Sequence, residues 1–129
     1  MVVVATGVDI IEVRRIREAM ERWGDRFLRR IFTPGEISHC RRKSRPELSF
    51  AARYAAKEAV LKALGIGLRG GLSWKDVEII NDVRGAPMVK PGRPMMELLG
   101  EKRLLISLSH LREMAAAVAL LVDDRGEQR

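Results

Sequence analysis

The segment 50–65, which reads FAARYAAKEAVLKALG, constrains this chain more than any other part of it. Alanine and other small or apolar residues fill most of its positions, and no proline or glycine interrupts it before Gly65. This composition predicts one long helix. The near absence of a polar stripe indicates that the helix is packed closely on most sides and does not lie in water.

The charged residues of this helix are open to two interpretations. Glu58 and Lys62 stand four residues apart and project from one face, with Lys57 beside Glu58 and Arg53 a turn or more earlier. On spacing alone, Glu58 and Lys62 form an ordinary ion pair of a solvated helix. On a mostly buried helix both charges need other partners, and a metal ion and a phosphate are the obvious ones.

Size and composition predict a single domain. With 129 residues, of which 47% are hydrophobic, the chain can bury one core. No apolar run has the length of a membrane span, and the opening MVVVATGVDI lacks the pattern of a signal peptide, so we expect a cytoplasmic protein. Cys40 is the only cysteine, which excludes an internal disulfide, and we interpret it as structural.

The strongly basic charge predicts an anionic partner. A formal net charge of +7 favours nucleic acid, a phosphorylated small molecule, an acidic protein or a membrane surface, without choosing among them. An aromatic content of 5% leaves few stacking platforms for single-stranded nucleic acid, and neither a zinc-finger spacing nor an RNA-recognition motif is present. Nucleic acid is therefore the weaker candidate.

The order of the predicted elements indicates the α+β class, with a small, largely antiparallel sheet packed against the long helix. Thr33 and Pro34 are predicted to cap one helix, and Ser44 with Glu47 to form a capping box that opens the long one. A glycine-rich loop over 66–72 is interpreted as a connector. The predicted strands are 2–10, 77–80, 86–89, 104–110 and 115–122. The predicted helices are 12–23, 25–32, 34–42 and 94–100, together with the long helix, which ends at Gly65. The domain is expected to span 1–122, followed by a frayed charged tail over 123–129.

Two polar residues on predicted strands are candidates for a site. Asp9 lies in an apolar strand, where its carboxylate either caps the strand end or meets something cationic. If the fold brings Asp9 and Glu58 together, they make an oxygen-only site for Mg²⁺, with waters and substrate phosphates as the remaining ligands. His110 ends a strand behind Ser107 and Ser109, and is either a surface residue or part of a polar, ligand-facing edge.

Five motifs together resemble the holo-[acyl-carrier-protein] synthases, the small bacterial type of phosphopantetheinyl transferase. They are GVDIIE at 7–12, FTPGE at 32–36, FAARYAAKEAVLKALG at 50–65, GAP at 85–87 and SLSH at 107–110. The resemblance covers nearly the whole chain and leaves out only the tail. It implies the phosphopantetheinyl transferase fold, and an activity that composition and periodicity did not indicate.

The resemblance implies a magnesium site that includes Asp9 and Glu58, which match the family's metal ligands. Lys62 matches the lysine that meets the pyrophosphate of coenzyme A. In larger relatives a third acidic ligand follows the aspartate by two positions, and Ile11 stands there in this chain. Water is expected to complete the coordination, as in the other small members.

The resemblance also implies where coenzyme A binds. His110, with Ser107 and Ser109 before it, matches the strand that contacts a phosphate of the coenzyme. Arg53 and the loop 85–87, with Gly85 and Pro87 at its ends, fall where the family holds the adenosine end. Small members form homotrimers with active sites between subunits, so Asp9, Glu58 and Lys62 are expected to come from one chain and His110 from the next.

The implied reaction transfers phosphopantetheine from coenzyme A to a serine of an apo acyl carrier protein in support of fatty acid biosynthesis. Glu58 or a metal-bound water accepts the serine proton, while Lys62 and His110 stabilise the departing adenosine 3',5'-bisphosphate. Because acyl carrier proteins are acidic, the resemblance turns a basic face into a docking site; it consists of Arg14, Arg15, Arg22 and Arg26. A second basic cluster could bind either the ribose phosphate of the coenzyme or the carrier, and the sequence does not choose between them; it consists of Arg41, Arg42, Lys43 and Arg45.

Two other classes of protein remain open at this point. A nucleic-acid-binding module would use the same cations but would have no use for Asp9 and Glu58, which repel phosphate unless a metal intervenes. A structural adaptor would tolerate amides in place of both carboxylates.

Overall fold

The computed structural model describes residues 1–65 and 67–125 and contains five strands and five α-helices in this part of the chain. The strands are β1 (Val2–Glu12), β2 (Val77–Asn81), β3 (Pro87–Pro91), β4 (Lys102–His110) and β5 (Met114–Asp123). The helices are α1 (Val13–Trp23), α2 (Asp25–Ile31), α3 (Pro34–Arg41), α4 (Pro46–Leu64) and α5 (Arg93–Leu99). Short 3₁₀ turns lie at Gly67–Gly70 and Trp74–Asp76. None of the described helices is long and apolar enough to cross a membrane.

The strands form two antiparallel sheets, which confirms the predicted α+β class. β5 lies in the middle of a three-stranded sheet in the order β1-β5-β4, and β2 and β3 form a separate hairpin. The long helix α4 packs across the inner face of the larger sheet and also contacts β2. Eleven of its nineteen residues are buried, as its alanine-rich sequence predicted.

Close approach of β1 to α4 depends on Gly7. A Cβ atom at this position would lie 2.0 Å from the carbonyl oxygen of Ala59 and 2.7 Å from the amide nitrogen of Ala63. No side chain fits into that space, so the strand and the helix touch backbone to backbone. This contact sets the distance between Asp9, two residues further along β1, and the charged residues of α4.

Some predicted details of the helix ends and loops differ from the structure. Thr33 caps α3 as predicted, and its hydroxyl and Glu36 form a capping box. The capping box predicted for Ser44 and Glu47 is wrong, because α4 begins at Pro46, whose fixed φ and missing amide suit the first helical position without a side-chain cap.

At the glycine-rich loop and the tail, part of the prediction lies outside the described residues. The loop contains the 3₁₀ turn Gly67–Gly70, and Ile66 lies outside the described residues. Strand β5 continues to Asp123, one residue past the predicted boundary, and Arg125 binds the Asp123 carboxylate at 2.7 Å. The rest of the predicted tail, residues 126–129, lies outside the described range.

A buried ion pair that the sequence did not reveal joins α3 to α4. Lys57 Nζ lies 2.8 Å from Glu36 Oε1, and both side chains are 0% exposed. The lysine also donates to the carbonyl oxygens of Trp74 and Val77, at 3.0 and 2.8 Å. Burial lowers the pKa of Lys57, and the carboxylate of Glu36 acts against that shift. The pair therefore holds two helices and the start of β2 in one place.

Replacement of Lys57 by methionine tests this pair. The variant keeps most of the side-chain volume but leaves the Glu36 carboxylate buried without its cation, so we expect a loss of about 3–5 kcal/mol in the free energy of unfolding. Urea unfolding followed by circular dichroism measures this change. Lys75→Met, at an exposed position, is the matched control. Equal stabilities of the two variants would contradict the role of the pair.

Candidate active site

Asp9 and Lys62 form an ion pair between β1 and α4. Lys62 Nζ lies 3.1 Å from Asp9 Oδ1 and donates to the carbonyl oxygen of Val8 at 3.0 Å. The Asp9 side chain is 17% exposed, and Asp9 does not cap a strand end, since β1 continues to Glu12. Of the two interpretations of Glu58 and Lys62, the ordinary pair along the helix does not describe the structure, because the hydrogen bonds of Lys62 go to the strand.

Glu58 shares an open cavity of about 340 Å³ with Asp9. Arg15 of α1, Phe27 of α2 and Tyr54 of α4 also line it. Burial and then the negative charge of Asp9 raise the pKa of Glu58, while Lys62 and a hydrogen bond from Tyr54 lower it. Two carboxylates that are remote in sequence thus converge closely enough to repel each other.

The donor set of this cavity suits a hard divalent cation. Mg²⁺ prefers carboxylate oxygens, and a cation between Asp9 and Glu58 would relieve their repulsion. No cluster of three or more His, Cys, Asp or Glu residues capable of holding a metal occurs in the part of the chain that the structure describes. The protein would therefore supply two ligands, and water and substrate phosphate oxygens would supply the others.

His110 lies in a second cavity, of about 360 Å³, at the other side of α4. Arg53, Lys43, Arg45 and Leu108 also line it, and it shares no lining residue with the cavity of Asp9 and Glu58. Arg53 and Glu58 are five positions apart on a helix, so they project from different faces. Within one chain the structure therefore keeps His110 apart from the two carboxylates.

Arg53 is connected to the loop 85–87 through Asn81. Arg53 is 6% exposed and donates to Asn81 Oδ1 at 2.6 Å, and Asn81 Nδ2 donates to the carbonyl oxygen of Gly85 at 2.8 Å. Pro87 pairs with Asn81 at the start of β3. Arg53 Nε is buried and has no hydrogen-bond partner among the described atoms. The residues predicted for the adenosine end are thus neighbours in space.

Ser107 and Ser109 lie on the outer face of the larger sheet. They alternate with Leu108 and His110 along β4, so their side chains project from the face of the sheet opposite to that of Leu108 and His110. Across β5 they align with Val8 and Ile10 of β1, which are 64% and 63% exposed. The two serines therefore belong to a largely apolar exposed face and not to the His110 cavity of the same chain.

The predicted basic face divides into two parts. Arg15 lines the cavity of Asp9 and Glu58. Arg14 instead forms ion pairs with Glu12 and Glu18, with a nitrogen–oxygen distance of 3.8 Å in each. Arg22 stacks over Trp23 with its guanidinium carbon 5.1 Å from the ring centroid.

A third cavity, of about 470 Å³, lies next to that of the carboxylates and shares Phe27 with it. Arg26 and Arg30 line it, together with Trp23, which is 52% exposed. The sequence did not single out Trp23, Phe27 or Arg30, because helical spacing alone does not show which aromatic and basic side chains line the same cavity.

The second basic cluster is also divided. Lys43 and Arg45 line the cavity of His110. Arg41 forms an ion pair with Asp25, and Arg41 and Arg42 line a different groove between α2 and α3. Of this cluster, Lys43 and Arg45 are therefore the residues near a candidate ligand site.

Comparison with known proteins identifies the family. The model of the 4'-phosphopantetheinyl transferase superfamily matches residues 5–119. A holo-[acyl-carrier-protein] synthase of Chlamydia trachomatis serovar D is 52% identical over 114 residues, which are 88% of this chain and 95% of the relative. The crystal structure of the synthase from Neisseria meningitidis superposes with a TM-score of 0.87 at 30% identity and covers 95% of this chain and 100% of that one.

The synthase from Helicobacter pylori, solved in complex with coenzyme A, superposes with a TM-score of 0.82 at 32% identity, covering 91% of this chain and 99% of that one. The family model spans residues 5–119, which include the lining of both cavities that contain the predicted site residues. This chain therefore belongs to the 4'-phosphopantetheinyl transferase superfamily and, within it, to the holo-[acyl-carrier-protein] synthases.

Proposed function

We propose that this chain transfers phosphopantetheine from coenzyme A to a serine of an apo acyl carrier protein, in a reaction that depends on Mg²⁺ and supports fatty acid biosynthesis. The convergence of Asp9 and Glu58 in one open cavity beside Lys62 carries the proposal. Family membership supports the reaction, and the Helicobacter pylori relative was solved with coenzyme A.

In the proposed reaction the serine oxygen attacks the pyrophosphate phosphorus nearer the pantetheine. The new P–O bond joins phosphopantetheine to the serine, and the bond to adenosine 3',5'-bisphosphate breaks. The serine proton goes to Glu58 or to a water. Glu58 suits the task because its carboxylate lines the cavity beside Asp9, where the serine of a bound carrier would enter.

Asp9 and Glu58 are the proposed metal ligands. Mg²⁺ held there supplies charge neutralisation on the phosphate oxygens and orientation of the reacting groups. Lys62, whose side chain is 52% exposed, can reach a phosphate at the mouth of the cavity. Together with His110 of a neighbouring subunit it would donate hydrogen bonds to the departing bisphosphate.

Coenzyme binding is proposed to involve the second cavity. Arg53, with a buried Nε that lacks a partner among the described atoms, faces the same space as His110. The loop 85–87, connected to Arg53 through Asn81, would hold the adenosine end. Lys43 and Arg45 add positive charge for a ribose phosphate.

We also propose a homotrimer with active sites between subunits. Two observations support it. The outer face of the larger sheet exposes Val8, Ile10, Leu105 and Val118, which is more contiguous apolar surface than a solvated sheet needs. The cavities of Glu58 and His110 are also separate within one chain, so a complete site requires a second copy.

An acidic carrier would dock on α1 and the start of α2. Arg15 borders the cavity that contains Glu58, and Arg22 and Arg26 continue the positive surface towards Trp23. A carrier bound there would present its serine to the carboxylates. The positive charge would also raise the association rate, an effect that salt weakens.

Mass spectrometry of an apo carrier tests the proposed reaction. After incubation with the protein, coenzyme A and Mg²⁺, we expect the carrier to gain the mass of phosphopantetheine, and EDTA to prevent the gain. Asp9→Ala and Glu58→Ala should each lower the rate by at least about a hundredfold because each removes a metal ligand. Glu97→Ala, at an exposed position on α5, is the control. An unmodified carrier, with several carriers tried, would refute the proposal, and tight binding of oligonucleotides would then favour the nucleic-acid module.

Mixed trimers test the placement of the site between subunits. Asp9→Ala and His110→Ala subunits, each inactive alone, are co-expressed with different tags and purified as mixed assemblies. If each site takes Asp9 from one subunit and His110 from the next, about one third of the sites in the purified mixed trimers keep both residues, one in each ring of three. We expect a corresponding return of activity. Mixed assemblies without activity would show that both residues act within one chain.

Arginine substitutions test the docking surface. Arg15→Ala should raise the KM for the carrier about tenfold, with little change in the KM for coenzyme A, and should flatten the salt dependence of kcat/KM. Arg14→Ala is the matched control, because Glu12 and Glu18 already offset the charge of Arg14. Steady-state kinetics at several ionic strengths measures both effects. Equal losses in the two variants would contradict docking at Arg15.

A further inference from the structure

Tyr54 lines the cavity of Asp9 and Glu58, and none of the functions considered above uses it. It lies on α4 one turn before Glu58, so the two side chains share a face of the helix. It is the only tyrosine in the chain. A phenylalanine would fill the same space, so the hydroxyl is the feature that needs an explanation.

The ring of Tyr54 is held from the side by Trp74. The two rings stack with their centroids 5.3 Å apart and an angle of 27° between their planes. The backbone at Trp74 is anchored, because its carbonyl oxygen accepts a hydrogen bond from buried Lys57 at 3.0 Å. The 3₁₀ turn Trp74–Asp76 is closed by Ser73, whose amide donates to Asp76 Oδ2 at 2.8 Å. The buried ion pair thus fixes the tryptophan, and the tryptophan restrains the tyrosine.

The hydroxyl of Tyr54 is the donor that the geometry places beside Glu58, because the two residues are four positions apart on α4, line the same cavity, and the stack on Trp74 restrains the ring. Burial raises the pKa of both groups, and the charge of Glu58 raises that of Tyr54 further. Asp9 has a different donor, Lys62, at 3.1 Å. Each of the two converging carboxylates therefore has its own donor, and that of Glu58 is neutral. A neutral donor can orient a carboxylate without cancelling the negative charge that a cation needs.

We propose that Tyr54 is a positioning residue for the reaction: its hydroxyl, restrained by the stack on Trp74, orients the Glu58 carboxylate towards Asp9 and the shared cavity. The proposal rests on the proposed function. Without the hydroxyl the Glu58 side chain can rotate about its terminal bonds, and the two carboxylates meet in the required geometry for a smaller fraction of the time. Outer-shell partners of metal ligands commonly change affinity or activity by about 10–100-fold.

Tyr54→Phe removes the hydroxyl and keeps the ring. We expect kcat to fall about tenfold, with little change in the KM for coenzyme A or in the melting temperature. Binding of Mn²⁺ to the protein alone, followed by electron paramagnetic resonance, should weaken by a similar factor. Trp74→Leu should shift both quantities in the same direction, and the double variant should add little, because both changes release the same carboxylate. Unchanged kcat and Mn²⁺ affinity in Tyr54→Phe would overturn the proposal.

Nuclear magnetic resonance tests the contact without metal, coenzyme or carrier. Because the chain contains one tyrosine, labelling with [13Cζ]tyrosine gives a single resonance that reports on the hydroxyl. At neutral pH this resonance should move in Glu58→Ala and stay in place in Lys75→Met. A resonance that ignores Glu58 would refute the contact even if the enzyme is active. If wild-type protein transfers nothing to any carrier, the proposed function fails, whereas the resonance still decides whether Tyr54 holds Glu58.

Discussion

The buried pair of Lys57 and Glu36 is the interaction on which the rest of the structure depends. Neither side chain is exposed, and the pair reaches its surroundings through further hydrogen bonds: Ile79 donates its amide to Glu36 Oε2 at 2.9 Å, and Thr33 donates to Oε1 at 2.9 Å. Two ions can remain in a low-dielectric interior only when their hydrogen-bonding capacity is met in this way. The result is a fixed junction of α3, α4 and β2, beside which the 3₁₀ turn with Trp74 is held.

Beyond this junction, α4 carries different functional side chains on its two sides. On one side Glu58 and Lys62 meet Asp9 across the backbone contact at Gly7, and on the other Arg53 meets the hairpin and the cavity of His110. In the proposed homotrimer, the carboxylate cavity of one chain and the His110 cavity of its neighbour would form one site. The exposed apolar face of the larger sheet fits the same account, because the association that would join the two halves would also cover that face.

Several features of the fold and the site were predictable because their causes are local. The alanine-rich helix, its end at Gly65 and the cap at Thr33 follow from side-chain size, the left-handed conformation of glycine and the spacing of a hydroxyl and a carboxylate. The start of α4 was not predicted, because Ser44 and Glu47 match a capping box in spacing, whereas Pro46 suits the first helical position without one. The sequence indicated that Asp9 and Glu58 would suit Mg²⁺ if the fold brought them together, and the structure places both in one cavity.

The amino-acid sequence by itself determined the class of fold, the long packed helix and, through five motifs, the family. Tertiary structure alone decided that Lys57 is the buried partner of Glu36 and that Lys62 binds Asp9. The physical reason is the range of the interactions. Helix caps and periodicity act within one or two turns of chain, whereas ion pairs and cavities join residues that are 21 to 53 positions apart and meet only once the core has formed.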